Sequence, residues 1–197
     1  MYMVRGINSC AADFVFLQSA MEMSENIQHN SAQELMAVAN EYCWLMENIS
    51  GFDADKVLEF MRKILPLLYV KGCAINVPEG ADEADMQRYV TEENYEIIFN
   101  DVRNKLKQFE KFHLYNPDLK ETEEKSTAEC LTDIYQDLKD GLIAYTKGLE
   151  AEKAAALFCL KNWFTERWGA HAANLLPVMH NIFEKKQSTE QTGTEFD

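Results

Sequence analysis

A chain of 197 residues with 47% hydrophobic side chains can bury one sizeable core, within the range of one large domain. Its 19 basic residues face 33 acidic ones, a formal net charge of −14, and such a field repels polyphosphate and anionic lipid surfaces, which argues against nucleic acid and membrane as partners. No apolar run approaches the roughly 20 residues that a membrane-spanning helix needs.

Proline and glycine are scarce, four and eight residues. Apolar side chains recur three and four apart almost throughout, which is helical spacing. The expected fold is all-α: a single domain over residues 1–187, about seven mostly antiparallel helices, and a disordered tail at 188–197. A first helix is expected over Ser9–Asn26, carrying Phe14, Leu17 and Met21. Asp13 interrupts its apolar stretch, so it reads as a helix rather than an export signal, and the protein as cytoplasmic. The second helix opens at Ser31, where Glu34 completes the pattern of a capping box. Its stripe is Leu35, Val38, Ala39, Tyr42, Leu45, Met46 and Ile49. Asp53 is expected to cap a third helix that runs to Gly72 and is kinked at Pro66. Residues 73–90 read as a loop with an acidic cluster at Glu79, Asp82, Glu83 and Asp85.

Thr91 opens a fourth helix that buries Tyr95, Ile98, Phe99, Val102, Leu106 and Phe109. Residues 113–125, "HLYNPDLKETEEK", read as a polar, mobile connector. Ser126 and Glu129 form a second capping box, ahead of a helix with Leu131, Ile134, Tyr135, Leu138, Leu142 and Tyr145. Gly141 within it costs about 1 kcal/mol against Ala and is expected to admit a close neighbour. A sixth helix from Glu150 to Trp168 and a seventh from Ala170 to Lys186, kinked at Pro177, complete the set.

The stretch "NWFTERWGAHAANLLPVMHNIF", residues 162–183, concentrates polar and aromatic side chains. Its main reading is an elbow between two helices: tryptophans fill it, Arg167 lies over Trp163 four residues earlier, and Gly169 ends a helix in a left-handed conformation. Its alternative reading is a pocket lined by Trp163, Arg167, Trp168 and His171 that takes a small anion or ring. Asp133, Asp137 and Asp140 fall at i, i+4 and i+7, on the side of the fifth helix away from Ile134, Leu138 and Leu142. They read as a solvated face, or as a docking surface for a basic partner.

Other chemistry finds little support. The five cysteines (Cys10, Cys43, Cys73, Cys130 and Cys159) are far apart and form no C-x-x-C pair, as expected of reduced thiols in a helical core. Glu110 and His113 make only half of a di-metal helical motif, so no metal site is expected. There is no G-x-S-x-G elbow and no phosphate-cradling glycine loop, hence no implied cofactor. A cysteine–histidine pair depends on spatial adjacency, which sequence does not display.

Four phrases, "ANEYCWLMENI" at 39–49, "LPLLYVK" at 65–71, "LTDIYQDLKDGLIAY" at 131–145 and "WGAHAANLLPVMHNIF" at 168–183, together resemble a family of small bacterial helical proteins of unknown function. The resemblance spans residues 10–185 and rests most on "DIYQDLKD" followed by the Trp-Gly pair. It implies a bacterial, cytosolic helical bundle and carries no activity, cofactor or catalytic residue. The leading expectation is therefore a non-enzymatic interaction module with a basic partner or as a homodimer, with a small-molecule binder or enzyme at the Trp163–His171 elbow as the alternative.

Overall fold

The structure is a computed structural model that describes residues 31–116 and 119–192, with side chains described as far as Glu184. The helix expected over 9–26 and Cys10 lie outside the described residues. Residues 31–47 are helical (α1) and bury the expected stripe, with Leu35, Ala39, Tyr42, Leu45 and Met46 all inside. The Glu34 carboxylate accepts from Lys71 Nζ at 2.6 Å. Helix α2 spans Ala54–Cys73 and contains Pro66. Asp53 takes the N-cap position, but its carboxylate faces Lys56 at 3.5 Å rather than capping the backbone. A loop with Ile75 buried leads to α3, Glu92–Lys105, whose first turn is capped by Thr91 Oγ1 accepting from the Asn94 amide at 3.2 Å.

The stretch read as a mobile connector is an antiparallel hairpin, β1 Lys111–Asn116 paired with β2 Glu121–Ser126. Alternation in β1 turns Phe112 and Leu114 inward and leaves His113 and Tyr115 outward. The base of the hairpin is fixed to the helix that follows. Ser126 Oγ donates to Glu110 at 2.6 Å, and Thr127 donates through its amide to the Glu110 carbonyl and through its hydroxyl to the Phe109 carbonyl, at 2.6 and 2.7 Å.

Helix α4, Thr127–Lys147, is the central element and packs on α3, α5 and α6. Ser126 Oγ caps it by accepting from the Glu129 amide at 3.1 Å. A Cβ at Gly141 would stand 2.5 Å from Leu160, so the close approach expected there is real. Helix α5, Glu150–Trp163, and α6, Gly169–Thr192, are not separated by an elbow. A π-helical turn, Phe164–Trp168, joins them, and Gly169 is right-handed at φ −66°. Glycine is needed there because a Cβ would lie 2.4 Å from the Phe164 carbonyl oxygen. Helix α6 contains Pro177 and continues to Thr192, into the stretch expected to be disordered.

The fold is thus mostly helical, as expected: α1 and five completely bounded α-helices are seen among the described residues, and the small two-stranded sheet beside them departs from the all-α expectation. One hydrophobic cluster reaches from Ala32 to Met179 and takes in Leu65, Leu131, Ile134 and Trp168. No helix among the described residues is long and apolar enough to cross a membrane.

Candidate functional site

Because α4 is surrounded, its carboxylate face is covered. Asp137 and Asp140 have no solvent exposure at all, which corrects the reading of Asp133, Asp137 and Asp140 as a docking surface. A buried carboxylate costs several kcal/mol unless donors and cations replace its water, and each of these acids has such partners. Asp140 Oδ1 accepts from the amides of Tyr89 and Val90 at 2.7 and 2.8 Å, and its Oδ2 from Arg88 Nη1 at 3.0 Å. It thereby pins the end of the loop that leads into α3. Asp137 accepts from Arg167 through Nε, at 3.0 Å, and Nη2, and from Arg88 Nη1 at 3.3 Å. Burial pushes the Asp137 carboxyl up against the pull of Arg167 and Arg88, and the hydrogen bond to Asp137 holds the Arg167 guanidinium above its ordinary range. Charge-assisted bonds of this kind are roughly twice as strong as neutral ones.

Asp133, at the other end of the row, is partly open. Its Oδ1 accepts from Tyr95 Oη at 2.8 Å, and its Oδ2 lies 3.2 Å from His171 Nε2. Burial acts to raise Asp133, but the bonds from His171 and Tyr95, with the charge of Arg167, outweigh it and hold the carboxyl below its usual value. Asp133, and after it the Cys130 thiol, push His171 up to about 9 against the effect of burial. The imidazole is therefore cationic at neutral pH.

The structure joins the two groups of residues singled out in the sequence. Arg167 and His171, four apart, project from the π-turn and α6 onto Asp137 and Asp133 of α4. Trp163 belongs to the same cluster, yet the cation over its ring is Arg88, at 3.9 Å, and not Arg167. Trp168 is not a pocket residue: it is fully buried, with its indole N–H donating to the Leu160 carbonyl at 3.1 Å.

Beside this cluster lies a cavity of about 440 Å³. Phe112, Leu114 and Tyr115 of β1 form one wall; Arg167, Ala170 and His171 form the other. Two of the expected elbow residues, Arg167 and His171, therefore open into a concavity, while Trp163 and Trp168 do not line it. Cys130 also lines it, together with Glu123, Lys125 and Glu166. Three of the four described cysteines are buried, but Cys73 is exposed at the end of α2. Among the described residues no cluster of three or more His, Cys, Asp or Glu is arranged to hold a metal ion.

Sequence reasoning missed Arg88, Tyr95 and Cys130. Arg88 had a signal: it is the sole base between residues 74 and 93, in an otherwise acidic stretch. Cys130 lies three residues before Asp133, on the same helical face, but nothing local says that a histidine from α6 meets them.

A family model described as Domain of unknown function (DUF5063) matches residues 26–185. The chain belongs to this family. Among solved structures, the crystal structure of protein BF1032 from Bacteroides fragilis is similar, with a TM-score of 0.68 and 27% sequence identity over 77% of this chain and 91% of that one. Comparison with the curated proteins gives no match.

Proposed function

We propose that this DUF5063 chain is a small-molecule-binding protein whose ligand sits between the hairpin and the π-turn. The observation that carries the reading is the opening of Arg167 and His171 into one cavity while the carboxylates of Asp137 and Asp133 hold them from behind. Its volume of about 440 Å³ falls within the range of small-molecule sites. The side chain of Arg167 is 36% exposed, and its Nη1 makes no hydrogen bond among the described residues. A guanidinium edge and an imidazolium suit one carboxylate, and the β1 wall of Phe112, Leu114 and Tyr115 suits an apolar body. Glu166 on the same rim opposes a second negative charge. The continuous core supports a single domain up to residue 187, and the unbridged thiols support a cytoplasmic location.

A panel of aryl and alkyl monocarboxylates, each paired with its neutral amide, tests the reading by thermal shift. Acids are expected to raise the melting temperature of the wild type and to leave A170W, in which an indole fills the cavity, unmoved. Equal responses to acids and amides, or no response at millimolar concentration, would remove the reading.

A further inference from the structure

We propose that the cavity between the hairpin and the π-turn takes an apolar α-amino acid as its zwitterion, with Glu166 holding the ammonium next to the carboxylate that Arg167 and His171 hold; the proposal deepens the ligand-site reading above and rests on it. Of the charged side chains that line the cavity, the two on β2 satisfy each other. Lys125 Nζ lies 2.7 Å from Glu123 Oε2, and Asn116 donates to Glu123 Oε1 at 2.9 Å. Arg167 and His171 are held from behind by Asp137 and Asp133. Glu166 differs from all of these. It is exposed on the rim, next to Arg167 in the chain, and its carboxylate has no hydrogen bond or ion pair among the described residues. The cavity thus presents two cations and, beside them, one unengaged anion. A simple carboxylate answers only the cations, whereas an ammonium on the neighbouring carbon answers the anion as well.

The wall that carries these groups begins in the π-helical turn Phe164–Trp168, and such turns recur at functional sites. Arg167, His171 and Asn174 follow one another at spacings of four and three and so share a face. The Asn174 carboxamide is half-buried and has no hydrogen bond among the described residues, so its NH2 is a further donor for the carboxylate. The opposite wall selects the side chain. Cross-strand partners share a face, so Phe112 with Lys125 and Leu114 with Glu123 turn to the cavity together. Phe112 and Leu114 offer no polar atom, and Tyr115 adds a ring that is 59% exposed and that an apolar ligand would cover. An acidic side chain placed here would meet the Glu123 carboxylate. A basic one would find that carboxylate already held by Lys125 and Asn116.

The test is isothermal titration of the full chain at neutral pH with two matched pairs, L-phenylalanine against 3-phenylpropionate and L-leucine against 4-methylpentanoate. Within each pair the carboxylate and the apolar body are the same, and the ammonium is the difference. The wild type is expected to bind the amino acid of at least one pair about tenfold more tightly than its partner, which is what one charge-assisted bond contributes. E166Q is expected to erase that preference, weakening the amino acid about tenfold and leaving the partner acid at least as tight. Circular dichroism of E166Q, matching the wild type, shows that the loss is not one of folding. Equal affinity within both pairs, or tighter binding of the acids that lack the ammonium, overturns the proposal and leaves the ligand site standing. A preference that survives in E166Q overturns it too. If the wild type binds none of the four at millimolar concentration, the proposal falls together with the reading on which it rests.

Discussion

A carboxylate without solvent exposure survives in a fold only where fixed donors and charges replace its hydration. Asp137 is such a residue, held by two guanidiniums. In D137N the side chain keeps its shape but loses the charge that both arginines face. Each arginine keeps a third or more of its side chain in solvent, so the loss is smaller than for a fully buried pair. Urea denaturation of D137N is expected to show roughly 2–4 kcal/mol of destabilisation. A loss near zero would mean that the network contributes nothing to stability. At this scale the sequence was half legible. The spacing of Asp133, Asp137 and Asp140 correctly placed three carboxylates on one face. What lies opposite that face is decided by residues far along the chain, Arg88 and Arg167, and no local pattern encodes their arrival.

Helices whose signals are local were read well, and elements stabilised from outside were not. Thr91 and Ser126 cap α3 and α4 where expected because a hydroxyl and an amide three residues later are neighbours in any chain that turns there. Gly141 was also read correctly as a contact point. In an isolated helix G141A gains about 1 kcal/mol, but here the new methyl would meet Leu160 at 2.5 Å. The expected outcome is a lower melting temperature, equivalent to a loss of about 1–3 kcal/mol. The hairpin escaped because β2, "ETEEKS", has no apolar alternation at all. It is held by pairing with β1 and by the bonds of Ser126 and Thr127 to residues 109 and 110. The loop before α3 is likewise held from outside, by Asp140. D140N keeps an acceptor but weakens the bonds from Tyr89 and Val90, and exchange of those two amides is expected to quicken about tenfold by hydrogen-exchange NMR. Unchanged exchange would show that the loop holds itself.

At the scale of the whole molecule, His171 ties α6 to α4, so its proton is linked to global stability. Asp133, Cys130 and the charge of Arg167 surround it. Its value in the fold, about 9, lies above the ordinary 6.5. The stability it contributes is thus complete below pH 6.5 and is lost as pH rises through about 9. Asp133 is held below its ordinary value, so its contribution is present at neutral pH and is lost only as acid protonates the folded carboxylate. Thermal melts between pH 6.5 and 9 are expected to show a fall in the wild type that H171Q flattens. A parallel fall in both would place the titration elsewhere. The sequence by itself determined that the protein is mostly helical, where several helices begin, and which side chains form the core, because apolar spacing and capping act within a few residues. The tertiary structure alone decided that α4 lies at the centre, that its acids face cations rather than solvent, that a π-turn replaces the elbow, and that Cys130, His171 and Arg167 share a cavity. Those outcomes depend on which distant segments pack together, and buried charge and close packing are satisfied only once the whole chain is in place.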